Sequence, residues 1–176
     1  MKIALVDVDG HSGFPNLALM RLSAWHKAQG DSVEWWNGFT HYDRVYLSKV
    51  FTFTPDFDTV IDADEIITGG TGYKDYTSLP PEVEATPPDY SIYPHYKRAV
   101  GFLTRGCIRG CPWCIVPRKE GDIHPAATWE QVSARTAGKS SFWTTMCWPP
   151  GMAWSRSDAW AASRYGWTST RAWMPA

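Results

Sequence analysis

The chain has 176 residues, 44% hydrophobic and 20% charged, a composition typical of globular proteins that excludes a disordered or collagen-like chain. Seventeen Lys and Arg against eighteen Asp and Glu leave a formal charge of −1, so the net charge favours neither nucleic acid nor an anionic membrane as main partner. The sequence offers no apolar run of about eighteen residues, and Asp7 and Asp9 interrupt its apolar start, so we expect a cytoplasmic protein.

The first predicted elements are a strand and a helix. Residues 2–8 form a largely apolar run, which is typical of a buried strand in a parallel sheet. Asn16 is placed to cap a helix that ends at Gly30. The apolar stripe of this helix consists of Leu17, Leu19, Met20, Leu22 and Trp25.

Three further strands are predicted at residues 33–36, 44–51 and 65–68, and the last runs into the glycine-rich sequence GGTG at 69–72. Strands that alternate with helices or long crossovers predict an α/β fold with a Rossmann-like parallel sheet. Prolines then follow at close intervals, and they predict a linker without helix or central strand, with a domain boundary near Tyr93. These prolines are Pro80, Pro81, Pro87, Pro88 and Pro94.

The second predicted domain, residues 94–139, carries a cluster of cysteines. A short strand at 98–104 leads directly into the sequence RGCIRGCPWC at 105–114, and a helix is predicted from about Ala126, carrying Trp129 and Val132. In a cytosolic chain, cysteines at such spacing indicate metal or redox chemistry before disulfides.

Cys107, Cys111 and Cys114 have the spacing CxxxCxxC, so three thiolates can face one centre. A zinc site normally has four ligands, and no second CxxC or HxxxH lies nearby, which favours an iron–sulfur cluster over zinc or unligated thiols. The nearby cations either offset the charge of such a cluster or form an ordinary solvated face. They are Arg105, Arg109, Arg118 and Lys119.

A strand followed by GCxxxCxxC, with an aromatic residue before the last cysteine, resembles the cluster loop of radical S-adenosylmethionine enzymes. The resemblance implies that Cys107, Cys111 and Cys114 bind three irons of a 4Fe-4S cluster. S-Adenosylmethionine would bind the fourth iron, with Trp113 beside its adenine; the alternative for Trp113 is ordinary packing. In that family the cluster reduces S-adenosylmethionine to methionine and a 5′-deoxyadenosyl radical. The family also implies a partial (β/α) barrel and a reductant such as flavodoxin or ferredoxin.

The first domain, residues 1–93, is similar to the cobalamin-binding domain that precedes many radical S-adenosylmethionine cores. In the cobalamin pattern, Asp-x-His-x-x-Gly, the histidine binds cobalt, and the glycine-rich loop would meet a nucleotide tail. Here Asp9, His11 and Gly13 place the glycine one position early, so we expect the domain to keep the fold without bound cobalamin.

A narrower resemblance covers most of residues 1–135. It is to a group of bacterial and phage radical S-adenosylmethionine proteins of undefined substrate. The matching segments are FPNL at 14–17, SAWHKAQGD at 23–31, YDRVY at 42–46, SKVFTFT at 48–54, GGTGY at 69–73 and CIVPRKEG at 114–121.

Residues 140–176 differ from the rest in composition. They contain six of the eleven tryptophans and no Leu, Ile, Val, Glu or Lys, and their tryptophan spacing fits neither a helix nor a strand. Suppose that the reading frame is shifted, so that each original codon consists of the last base of one present codon and the first two bases of the next. Cys147, Trp148 and Pro149 then become Val, Leu and Ala. The strings VVLLDNNVLA and DFNQGLDA are then allowed, and both resemble the family downstream. We therefore predict a shifted reading frame and an irregular tail; the alternative is a genuine Trp-rich extension.

The predicted function is reductive cleavage of S-adenosylmethionine by an iron–sulfur protein with an unknown substrate. We expect this chain to be an incomplete version that keeps the cluster ligands but lacks the activity. Two alternatives remain open. One is a corrinoid- or nucleotide-binding α/β module with a zinc or vestigial cysteine site, and the other is a non-functional gene fragment.

Overall fold

The computed structural model describes residues 1–10, 13–96 and 98–128, together with the backbone of a strand at 140–144. The chain divides into two units, Met1–Tyr96 and Lys97–Ala176. No helix among the described residues is both long enough and apolar enough to cross a bilayer.

The first unit is built on a four-stranded parallel sheet. Its strands are β1 (Lys2–Asp7), β2 (Ser32–Trp35), β3 (Tyr42–Ser48) and β4 (Ala63–Gly69), in the spatial order β2-β1-β3-β4. All three pairings are parallel, which confirms the predicted α/β fold. Because the order reverses between β1 and β3, the carboxyl ends of these two strands form the switch point at which open α/β sheets commonly bind ligands.

The helix α1 (Leu17–Ala28) crosses between β1 and β2. The side chain of Asn16 accepts a hydrogen bond from the Leu19 amide at 3.3 Å and so caps the first turn, as predicted. Gly30 follows the helix with a φ of 86°, a backbone conformation that glycine adopts without the steric strain that a Cβ would cause.

The residues of β1 alternate between the two faces of the sheet, and each face has its own core. On one face, Leu5 packs with residues of α1 and of the segment after β4: Leu19, Met20, Leu22, Val83 and Ile92. On the other face the core consists of Ala4, Val6, Tyr42, Val45 and Leu47.

The proline-rich segment contains regular structure, so the prediction of a linker without helix is wrong. Pro81–Glu84 form a one-turn helix, α2, and Tyr90–Ile92 form a 3₁₀ turn. Pro81 stands in the first turn of α2, where a missing amide hydrogen costs nothing. Val83 and Ile92 are buried in the first core, which is why the segment packs onto the sheet.

The second unit contains a three-stranded sheet. Its elements are β5 (Ala99–Arg105), α3 (Val116–Glu120), β6 (His124–Pro125) and β7 (Ser140–Thr144), with the spatial order β6-β5-β7. β5 pairs antiparallel with β6 and parallel with β7.

Strand β7 corrects the prediction of an irregular tail for its first five residues. The sequence SSFWT at 140–144 contains Phe, Trp and Thr, which have high strand propensity, and it pairs with β5. Residues 126–128 are not helical, and the remainder of the helix predicted from Ala126 lies outside the described residues, as does the tail from 145 onward. The (β/α) barrel remains a prediction.

Candidate metal centre

The three motif cysteines lie in the loop that joins β5 to α3. All three are free thiols, and each is partly exposed. The Cys114 amide donates to the Cys111 carbonyl at 3.0 Å, and the Arg109 amide donates to Sγ of Cys107 at 3.3 Å. An amide that points at a thiolate stabilises its negative charge, which is a contact that iron–sulfur loops use.

The donor set fits an iron–sulfur cluster by its chemistry. Three thiols within eight residues, on a loop open to solvent, are the ligands that such clusters take. Among the described residues, however, no three His, Cys, Asp or Glu side chains are already gathered in metal-binding geometry.

Two hydrogen bonds close the cysteine loop where it meets α3. The Gly106 amide donates to Oε2 of Glu120 at 3.1 Å, and the Cys107 amide donates to the Gly121 carbonyl at 3.1 Å. Gly106 has a φ of 76°, and a Cβ there would lie 2.1 Å from the Asp122 carbonyl oxygen. We call the contacts among Gly106, Cys107, Glu120 and Gly121 the loop base.

Trp113 is 86% exposed, so the alternative of ordinary core packing does not describe its ring. Of the predicted nearby cations, Arg105 lies over the Phe102 ring at 4.8 Å from the centroid. Arg109 is exposed, and Arg118 and Lys119 lie in the last turn of α3. Cations in the last turn of a helix interact favourably with the negative end of the helix dipole, which is an ordinary structural role.

The glycine-rich loop of the first unit packs on Lys49. Gly70 has a φ of 104°, and a Cβ there would lie 2.3 Å from the Lys49 carbonyl oxygen; at Gly72 it would lie 2.4 Å from Cγ of Lys49. The Gly72 amide also donates to the Lys49 carbonyl at 2.9 Å. These contacts account for the two glycines without a ligand. His11, which stands at the cobalt-binding position of the cobalamin pattern, lies outside the described residues.

A polar network that the sequence analysis missed lies at the switch point between β1 and β3. Tyr93 donates from its hydroxyl to Oδ2 of Asp7 at 2.6 Å, and the Asn16 amide donates to the Tyr93 hydroxyl at 3.2 Å. Nδ2 of Asn16 donates to Oγ of Ser48 at 2.8 Å. Asp7 and Ser48 are the last residues of two parallel strands, and the carboxyl ends of such strands meet at one edge of the sheet. Their positions were the signal in the sequence that could have located this network.

Burial raises the pKa of Asp7, although the hydrogen bond from Tyr93 opposes the rise. Burial and the Asp7 carboxylate raise the pKa of Tyr93 well above its ordinary value. The Tyr93 phenol is therefore neutral at all physiological pH values and acts as the donor of the pair.

The neighbouring charges at this edge are also held by the chain itself. The Asp9 carboxylate accepts hydrogen bonds from the Val50 amide and the Thr54 hydroxyl. Lys49 is 4% exposed, and its Nζ lies 2.6 Å from Oδ1 of Asp56. These groups fix the loops after β1 and β3, and their partners lie within the chain.

Comparison of the chain with family models, with curated proteins and with solved structures gave no match. A functional assignment therefore depends on the chemistry of the three motif cysteines. Within the described residues, the cysteine loop has the ligand types of a metal centre, whereas the polar groups named at the sheet edge of the first unit are bonded to partners in the chain.

Proposed function

We propose that the second unit is an iron–sulfur centre of the radical S-adenosylmethionine type, with Cys107, Cys111 and Cys114 as the cluster ligands. The observation that carries the proposal is one loop that follows β5 directly and presents three free, partly exposed thiols. Three thiolates for a cubane of four irons leave one iron for a small-molecule ligand.

Partial exposure favours this assignment over structural cysteines. Buried cysteines in apolar surroundings are inert, whereas thiols that reach solvent can ionise and bind metal. The exposed ring of Trp113, one position before Cys114, offers a face for the adenine of S-adenosylmethionine. When bound, the cluster would supply the electron that cleaves the sulfonium, and the chain's own residues position and shield the reactants.

We propose further that the enzyme from which this chain derives acted in the cytoplasm. Its substrate is not identified, and its reductant was a flavodoxin or ferredoxin. The compositional break after residue 139 supports a chain that retains the cluster site but has lost the later part of the ancestral sequence in its reading frame. The first unit keeps the cobalamin-type fold in this proposal and binds no cobalamin, because Gly13 stands one position early in the Asp-x-His-x-x-Gly pattern.

Anaerobic reconstitution of the full chain with ferrous iron and sulfide tests the proposal. We expect about four irons and four sulfides per chain and an electron paramagnetic resonance signal after reduction that changes when S-adenosylmethionine is added. Cys111→Ala is expected to lose the signal. Cys147→Ala, which removes a thiol outside the motif, is the matched control and is expected to keep it.

Zinc bound without sulfide would overturn the proposal in favour of a zinc-binding module. Equal iron content in the wild type and in Cys111→Ala would also contradict it, because adventitious iron does not depend on one motif cysteine.

A further inference from the structure

The cysteine loop is held at the loop base, where one of the two hydrogen bonds is accepted by a side chain. We infer that Glu120 is a positioning residue for the metal centre, because its carboxylate holds the Gly106 amide and so fixes the backbone from which Cys107 projects. This inference rests on the proposed function for the identity of the metal centre. The contact itself joins two groups of the chain, so it can be tested without the metal.

The position of the Glu120 carboxylate follows from the helix that carries it. Glu120 is the last residue of α3, and the Gly121 amide donates to the Pro117 carbonyl at 3.1 Å and closes the helix. Gly121 has a φ of 70°, which turns the chain back toward β5. The carboxylate therefore faces the start of the cysteine loop from a fixed element.

The hydrogen bond from Gly106 to Glu120 is the stronger type of the two at the loop base. A bond from an amide to an ionised carboxylate is roughly twice as strong as one between neutral groups. The second bond, from the Cys107 amide to the Gly121 carbonyl, joins backbone to backbone and holds the next residue in the same register. Together they order two consecutive amides at the first ligand.

Ordering this backbone before metal binding lowers the entropy cost of gathering three thiolates. Residues that hold metal ligands in place typically change metal affinity by about 10- to 100-fold when mutated. Glu120 makes such a contact one residue before a ligand.

Three variants separate positioning from charge. Glu120→Ala removes the acceptor, Glu120→Gln keeps an acceptor oxygen without the charge, and Asp122→Asn removes one charge but leaves the Asp122 backbone carbonyl in place. The first measurement is hydrogen exchange of the Gly106 amide in the metal-free full chain. We expect about tenfold faster exchange in Glu120→Ala, a smaller increase in Glu120→Gln because its acceptor oxygen is uncharged, and a value within about twofold of wild type in Asp122→Asn.

The second measurement is the rate at which a chelator removes iron from the reconstituted full chain. Glu120→Ala is expected to lose iron at least tenfold faster than wild type, and Glu120→Gln is expected to restore most of the retention. Unchanged exchange and unchanged iron loss in Glu120→Ala would overturn the inference, as would an equal effect of Asp122→Asn. If the wild-type chain takes up no cluster while Gly106 exchange still depends on Glu120, the proposed function fails and the loop-positioning role stands.

Discussion

The hydroxyl of Tyr93 donates a hydrogen bond to the Asp7 carboxylate at 2.6 Å, across 86 positions of the sequence. Asp7 ends the first strand, and Tyr93 follows the 3₁₀ turn of the proline-rich segment. The same hydroxyl accepts from the Asn16 amide at the start of α1. One phenol thus ties the sheet, the first helix and the last segment of the unit together.

Replacing Tyr93 by Phe should destabilise the first unit by about 1–3 kcal/mol, because the half-buried Asp7 carboxylate and the Asn16 backbone amide each lose a partner. Urea unfolding at neutral pH measures this change. Tyr96→Phe is the matched control. Among the described residues, the Tyr96 hydroxyl is buried without a hydrogen-bond partner, so its removal should be neutral or slightly stabilising. Equal losses for both variants would contradict a specific role of Tyr93.

The raised pKa of Asp7 predicts a stability change in mild acid. The folded chain holds the Asp7 proton more tightly than the unfolded chain, whose carboxyl has the ordinary value of 3.8. The contribution of Asp7 to stability is therefore full below that value and falls as the pH rises through the raised value. Asp7→Asn should abolish this fall in unfolding free energies measured from pH 3 to pH 7. A profile unchanged from wild type would refute the assignment.

Asp89 predicts a change of the opposite sign. Burial alone would raise the pKa of Asp89, but hydrogen bonds from Lys27, Ser91 and Ser23 outweigh it and lower the pKa to about 2. Its stabilisation is present above about pH 4 and is lost as the pH falls toward 2.

Asp89→Asn should lower the stability at pH 7 by about 1 kcal/mol, a modest value because water screens the partly exposed Lys27 end of the pair. It should also flatten the loss between pH 4 and pH 2 in acid unfolding followed by circular dichroism. A double variant with Asp7→Asn tests whether the two acid effects add. The predicted opposite slopes would be wrong if both single variants changed the profile in the same direction.

Gly70 is expected to tolerate no side chain. Gly70 has a φ of 104°, and a Cβ at this position would lie 2.3 Å from the Lys49 carbonyl oxygen. We therefore expect Gly70→Ala to lower the free energy of unfolding by about 2–4 kcal/mol. Gly38→Ala is the control, because a Cβ there meets Trp36 at 3.5 Å, an ordinary contact, and should change stability by less than about 0.5 kcal/mol. Thermal unfolding of both variants decides whether the glycine-rich loop is a packing feature.

Trp113→Ala should leave the unfolding free energy within about 0.5 kcal/mol of wild type, because the ring is 86% exposed. If the proposed function holds, the same variant should weaken binding of S-adenosylmethionine to the reconstituted chain, measured by the spectroscopic change that the ligand causes. A large loss of stability would show that Trp113 belongs to a core.

Much of the first unit was predictable from the sequence. The apolar residues at 2–8 predicted the buried strand β1, and Asn16 and Gly30 predicted the two ends of α1. These features were predictable because each depends on residues only a few positions apart. The predicted third strand ran to residue 51, whereas β3 ends at Ser48, because the chain then turns to place Lys49 beside the glycine-rich loop. The same local reasoning located the CxxxCxxC motif.

The sequence by itself determined the α/β class, the boundaries of α1 and the positions of the three motif cysteines. Only the tertiary structure decided that Tyr93 meets Asp7, that Gly70 serves the packing of Lys49, and that Glu120 closes the loop before Cys107. The physical reason is that periodicity and capping act within a few residues, whereas these contacts join segments whose approach depends on strand order and on the burial of Val83 and Ile92.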